Sequence, residues 1–123
     1  FRAFRRPKQL YSYFGLDPVV RQSGNSAGAN LRISKRGSPY ARRCFYILAL
    51  QSVSLRKNGE PKNPVLRAYY LEKCKSKAKM TALGAIMHKL CNIVFAVLRD
   101  ERPFVLRSPQ EHRQNYLSLP KAA

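Results

Sequence analysis

Apolar residues recur at three- and four-residue steps in four stretches of the chain, the spacing that predicts amphipathic helices. The first stretch, residues 7–15, has proline at an early position and glycine as a stop, enough for two helical turns. The second begins at Ser38 and Pro39, an N-cap followed by proline at the first helical position, and is predicted to run to about Leu55. The expected inner face of this second helix is Tyr40, Cys44, Phe45, Ile47 and Leu48.

The other two stretches lie in the second half of the chain. Asn63 and Pro64 repeat the cap-plus-proline signal for a helix through about Lys75. The longest pattern predicts a helix over residues 79–99, whose apolar stripe makes it the chief core helix. That stripe is Leu83, Ile86, Met87, Leu90, Ile93, Val94 and Val97.

Two short β-branched stretches, residues 19–22 and 31–35, are typical of strands, and residues 23–30 between them read as a loop. From residue 103 onward the apolar pattern degrades, which predicts an irregular or partly disordered tail. The expected fold is therefore mainly α. It has three principal helices and a short N-terminal β-hairpin that carries the loop.

The net charge narrows the class of partner. The 123 residues include 24 Lys plus Arg against 6 Asp plus Glu, a formal charge of +18, and such an excess favours a polyanion. Nucleic acid is the leading partner. A membrane-surface partner ranks well behind nucleic acid, because neither end shows an amphipathic cationic helix or a lipidation signal. No spanning segment is expected, because the longest apolar run, residues 90–98, contains Asn92 and is shorter than the roughly 20 residues that a spanning helix needs.

Cysteine and histidine give no metal site by spacing. Cys44, Cys74 and Cys91 form no CxxC pair, and His88 and His112 stand at no ligand spacing from them. The expectation is three reduced thiols buried in the core and a His88 imidazole that is packed or on the surface. No metal or cofactor is assigned to this chain.

The predicted loop sets one serine among glycines and cations. Ser23 is followed by Gly24 and Gly28, and a hydroxyl that attacks a phosphodiester needs cations to stabilise the non-bridging oxygens. Ser26 and Ser34 are rival hydroxyls, and an ordinary loop serine is the bland alternative for Ser23. The candidate phosphate-binding residues are Arg21, Arg32, Lys35, Arg36, Arg42 and Arg43.

Three segments, GLDPVVRQSG, ISKRGSPYARRCFYILAL and the long stretch from NPVLRAYY to LRDERPF, occur in this order. In this combination the chain resembles the C-terminal transposase domain of the IS-one-ten and IS-eleven-eleven transposases, relatives of the Piv-type DNA invertases. The resemblance covers nearly everything from Phe4 to Phe104, so residues 1–104 are expected to form that domain and residues 105–123 the tail. It singles out Ser23, at the SG position, as the nucleophile.

The resemblance implies a site-specific DNA recombinase that moves an insertion sequence with an RNA made from the element's own end. It implies DNA and a guide RNA as partners, a homo-oligomer, and a cytoplasmic, nucleoid-associated protein. In that family an upstream RuvC-like domain supplies clustered carboxylates that bind magnesium. The six acidic residues here are scattered, so this segment is expected to be half of a composite active site and inactive alone.

A second hypothesis is a noncatalytic basic module that binds DNA or RNA, in which Ser23 is incidental. The charge alone does not separate it from the recombinase.

Overall fold

The computed structural model describes residues 3–19, 22–23, 26–27 and 32–118, with 22–23 and 26–27 as backbone. Over these residues the chain is mainly helical. The helices are α1 (Pro7–Tyr13), α2 (Pro39–Val53), α3 (Pro64–Cys74), α4 (Lys79–Asp100) and α5 (Pro109–Ser118).

The predicted starts of α2 and α3 are confirmed by side-chain caps. The Ser38 hydroxyl accepts a hydrogen bond from the Ala41 backbone N–H at 3.3 Å. The Asn63 amide oxygen accepts one from Leu66 N–H at 3.0 Å. In both helices proline at the first position completes the signal, because its missing N–H would have no partner there. Local sequence therefore fixes where these helices begin.

The core forms around α4, as its apolar stripe predicts. This helix packs against α1, α2 and α3, and Ile86, Cys91 and Phe95 are among its fully or almost fully buried residues. By length and composition alone α4 would also be long enough to cross a membrane, a test that the core helix of a water-soluble protein passes too. The other buried residues of α4 are Ala82, Leu83, Met87 and Leu90.

The inner face expected for α2 is confirmed only at Phe45, and its other four residues are exposed. Its buried residues are Phe45, Ala49 and Val53, one helical turn apart, whereas Tyr40 is 81% exposed and Ile47 is 47% exposed. Apolar residues occur on every side of α2 itself, so periodicity alone allows more than one face to be the buried one. Ala49 is fully buried and α2 packs against α3 and α4, so tertiary packing decides which face is buried.

The predicted β-hairpin is also wrong. In place of the two expected strands, residues 19–22 and 31–35, the described residues pair in one isolated bridge from Ile33 to Pro18, which precedes the first expected strand. Within the described ranges, the strands are two residues each, β1 (Gln22–Ser23) and β2 (Ser26–Ala27), and all of these residues except Gln22 lie where a loop was expected. Pro18 has no N–H to donate to a strand ladder, which restricts strand pairing at this position.

The described residues form five helices. Four of them, the three principal helices and the short α1, were predicted from the sequence, and α5 was not. The tail expected to be irregular contains α5. Ser108 and Glu111 form a reciprocal cap at its start, with Ser108 N–H donating to Glu111 Oε2 at 2.8 Å and Glu111 N–H to Ser108 Oγ at 3.2 Å. None of its residues is buried, so an apolar stripe does not reveal this helix and the cap is its signal.

Candidate nucleic-acid and phosphoryl-transfer site

The two ends of the segment that carries Ser23 are joined to each other. Residues 15–19 leave α1 and residues 32–35 return toward α2, side by side. The backbone hydrogen bonds between them are Val19 N–H to Arg32 O (2.8 Å), Ser34 N–H to Asp17 O (2.7 Å) and Lys35 N–H to Gly15 O (3.0 Å). The segment in between is thereby closed at its base.

A side-chain hydrogen bond strengthens this base. The Ser34 hydroxyl donates to Asp17 Oδ1 at 2.6 Å in a partly buried position. A short bond to a carboxylate is about twice as strong as one between neutral groups. Ser34, one of the rival hydroxyls, therefore already holds a structural partner.

Two glycines allow the base to pack against the end of α1. Gly15 has φ +67°, and a Cβ there would lie 2.6 Å from the backbone nitrogens of Arg36 and Gly37. A Cβ on Gly37 would in turn meet the backbone of Phe14. The close approach of these two chain segments therefore requires glycine in both of them.

Ser23 is described by its backbone only. It pairs with Ser26 in the register of β1 and β2, with two residues between them. Ser23 and Ser26 thus lie at the turn end of this strand pair. Arg21, Gly24 and Gly28 lie outside the described residues.

The candidate cations fall into two groups. Arg32, Lys35, Arg36 and Arg43 are exposed, and Lys35 holds a left-handed φ of +56°. Arg42 is different, because its half-buried guanidinium donates to two backbone carbonyl oxygens, those of Phe14 (3.3 Å) and Gly37 (2.5 Å). That side chain ties α2 to the base of the serine segment.

The acidic residues do not fit a magnesium site. Across residues 3–19 and 32–118, no group of three His, Cys, Asp or Glu side chains could hold a metal ion. Several of the carboxylates are already engaged elsewhere, such as Glu72 with Lys75 at 2.6 Å and Asp100 with Arg99 at 2.7 Å. Among the described residues this chain therefore has no carboxylate cluster of the kind that metal-dependent phosphoryl transfer needs.

The thiols were expected in the core, and that prediction is wrong for one of them. Cys91 is fully buried, Cys74 is half-buried and Cys44 is exposed on α2. Burial raises the pKa of the Cys91 thiol to about 11. Cys91 is an inert core residue.

A groove missed by the sequence patterns lies between α1, α4 and residues 17–18. Its volume is about 590 Å³. Tyr11 of α1 and His88 of α4 line it as an aromatic pair, with ring centroids 4.1 Å apart and planes inclined by 35°. Tyr11 and His88 are 77 residues apart, so no local sequence pattern predicts this ring contact, which forms only when α1 packs against α4.

These features define a basic helical domain in which a serine-bearing segment is closed at its base beside exposed cations. Residues 1–71 match the Transposase IS116/IS110/IS902 family, and the chain belongs to that family.

Two curated relatives extend the comparison. The chain is 35% identical over 102 residues to the pilin gene-inverting proteins of Moraxella lacunata and Moraxella bovis. The alignment covers 83% of this chain and 30% of each relative. The chain thus spans about a third of the length of these relatives, and the resemblance to transposases and DNA invertases is confirmed.

Proposed function

We propose that this chain is the serine-bearing part of a DNA recombinase that moves or inverts a DNA segment by phosphoryl transfer. Membership of the transposase family supports this reaction class, and two relatives are named for inverting a gene. DNA is the proposed substrate. A formal charge of +18 supports a polyanionic partner.

The proposed chemistry is a transesterification at Ser23. Its hydroxyl oxygen attacks the scissile phosphorus, a phosphoserine bond forms, and one sugar oxygen of the DNA leaves with the electrons of the broken P–O bond. The serine proton goes to a base outside the described residues, which contain no carboxylate cluster. The complete active site is therefore a composite one, with its acidic half supplied by another protein segment or protomer.

The exposed cations supply the other requirement. Arg32 and Arg36 offer planar donors for bidentate contact with phosphate oxygens, and Lys35 offers a point charge. Arg32 and Lys35 take part in the closed base through their backbone groups, and Arg36 follows directly, so all three lie at the base of the serine segment. Arg43 on α2 extends the same basic surface, and Arg21 belongs to the proposed set by its place in the sequence.

The observation that carries the proposal is the closed base itself. Three backbone hydrogen bonds and the bond between Ser34 and Asp17 hold both ends of the segment that contains Ser23. A nucleophile must be positioned before it accelerates a reaction, and a free loop would not position it. We further propose a guide RNA, a homo-oligomer and a cytoplasmic, nucleoid-associated protein, in line with the family resemblance.

The test uses the longest reading frame that encodes this chain. The wild type and the variants Ser23→Ala and Ser26→Ala are incubated with the element's end DNA and separated under denaturing conditions. We expect a covalent protein–DNA adduct that is lost in Ser23→Ala and kept in Ser26→Ala, the matched control from the paired position. Undiminished strand exchange by Ser23→Ala would contradict the nucleophile assignment.

A noncatalytic nucleic-acid-binding module is the competing function, and the high positive charge favours it equally. It predicts salt-sensitive binding without any adduct or strand exchange by the full-length protein. That result for the wild type would decide for the binding module.

A further inference from the structure

The groove between α1, α4 and residues 17–18 has the size and lining of a small-ligand site. Its volume of about 590 Å³ falls within the roughly 300–1,000 Å³ typical of ligand pockets. The lining surface is mostly apolar carbon, and the charged residues Arg6, Lys8 and Asp17 are among those that line it. A flat, partly apolar ligand with a charged end would match that division.

The aromatic pair provides a flat surface. The Tyr11 ring is half-buried and the His88 ring is exposed, so the pair can accept a further ring on its open side. Burial raises the pKa of Tyr11, and the partial desolvation of the His88 ring together with the positive charge of Lys89 lowers the pKa of His88. Both rings are therefore predominantly neutral near pH 7, and neutral aromatic rings stack on nucleobases without regard to base identity.

The charges at the groove suit a phosphate. Arg6 and Lys8 line it from the start of α1, and both side chains are exposed. The acidic group in the lining, Asp17, is hydrogen-bonded to Ser34. Cations beside an aromatic surface are the combination that proteins use to bind single-stranded nucleic acid.

We propose that this groove holds one unpaired nucleotide of the DNA substrate, with its base stacked on Tyr11 and His88 and its phosphate on Arg6 and Lys8. This rests on the proposed function, because it takes DNA as the substrate. Pro18 belongs both to the groove and to the bridge with Ile33. Ser23 follows five residues later, so the chain places it within about 18 Å of the groove, close enough to act on the same strand.

The test measures binding of the intact chain to two DNA probes at one fixed salt concentration. One probe is a perfect duplex, and the other is the same duplex with a single unpaired fluorescent purine analogue. We expect the unpaired base to improve affinity at least about fivefold, the lower end of one stacked base, and its fluorescence to be quenched.

The variants Tyr11→Leu and His88→Ala should lose both the gain in affinity and the quenching while keeping duplex affinity. Tyr13→Leu, a change on the same helix outside the groove, should keep all three. His88 is exposed, so its variant keeps the fold, and thermal unfolding followed by circular dichroism checks each protein.

An equal affinity for both probes, or quenching that persists in both groove variants, would overturn the nucleotide site. A gain seen with the matching RNA probe and not with DNA would overturn the DNA assignment. The two proposals fail differently: loss of the nucleotide site leaves salt-dependent duplex binding intact, whereas failure of the DNA partner abolishes binding to both probes.

Discussion

The hydroxyl of Ser34 donates a hydrogen bond of 2.6 Å to the carboxylate of Asp17, a residue 17 positions earlier in the chain. Everything between these two residues, including Ser23, is therefore a closed segment. The bond is partly buried, so water competes with it less than with a surface contact. It links the end of α1 to the approach to α2.

Removing this bond should destabilise the protein. We expect Ser34→Ala to lower the free energy of unfolding by about 1–2 kcal/mol, because a hydrogen bond to a charged group is lost in a partly buried place. Urea denaturation measures the change. In a double-mutant cycle with Asp17→Ala the two costs should not add, and strict additivity would show that the bond contributes nothing to stability.

Gly15 should tolerate no side chain. Gly15→Ala is expected to cost at least about 3 kcal/mol, because the positive φ and the contacts with the backbone of Arg36 and Gly37 act together. Gly59→Ala is the control: its φ is +85° with nothing within 4 Å, so it should cost only about 1 kcal/mol. Similar unfolding midpoints for both variants would contradict the proposed close packing.

At Gly84 the same substitution by alanine should stabilise the protein. It lies inside α4, and a Cβ there would meet no atom within 4 Å. Gly84→Ala should raise the free energy of unfolding by about 1 kcal/mol, because alanine loses less backbone entropy in a helix. Thermal unfolding by circular dichroism should show a higher midpoint, and a lower one would mean that α4 packs more tightly at this position.

Arg42 and Arg43 are neighbours with different expected roles. Arg42→Ala should lower the free energy of unfolding by about 1–2 kcal/mol, since the carbonyl oxygens of Phe14 and Gly37 lose their donor. Arg43→Ala should change the free energy of unfolding by no more than about 0.5 kcal/mol. It should also reduce the slope of the logarithm of the DNA-binding constant against the logarithm of salt concentration by nearly one unit. Denaturation and DNA titrations at several salt concentrations check both. An Arg42→Ala protein as stable as the wild type would refute its structural role.

The thiols should differ in reactivity. At about pH 8 an alkylating reagent should modify the exposed Cys44 and leave Cys91 intact, because the thiolate is the reactive form and the pKa of Cys91 is raised to about 11. Peptide mass spectrometry identifies the modified sites. In denaturant both should react, and fast modification of Cys91 in the native protein would contradict its burial.

Much of the helical layout could be predicted from local signals. The N-caps Ser38 and Asn63 each act within three residues of their own position, so the start of α2 and of α3 needed no tertiary information. The apolar stripe of α4 is also a local signal, because its apolar residues repeat at helical spacing within one continuous stretch of sequence. Ser108 and Glu111 are also a local signal, since they cap the start of α5. The apolar pattern did not predict this helix, because it has no apolar stripe.

The candidate site could be predicted only in its residue types. The basic charge and the SG position of Ser23 come from the sequence, and the family comparison supports the class of protein. The sequence does not show which cations are structural and which are free to bind phosphate. Arg42 and Arg43 are indistinguishable in sequence, and only the fold brings the carbonyl oxygen of Phe14 beside Arg42.

The sequence by itself thus determined the helix starts, the core helix and the basic, serine-bearing character of the protein. These depend on interactions within one turn or on the total charge. Only the tertiary structure decided the inward face of α2, the closed base between Asp17 and Ser34, and the groove of Tyr11 and His88. Each of those depends on contacts between residues distant in the chain, whose partners are chosen by packing around α4.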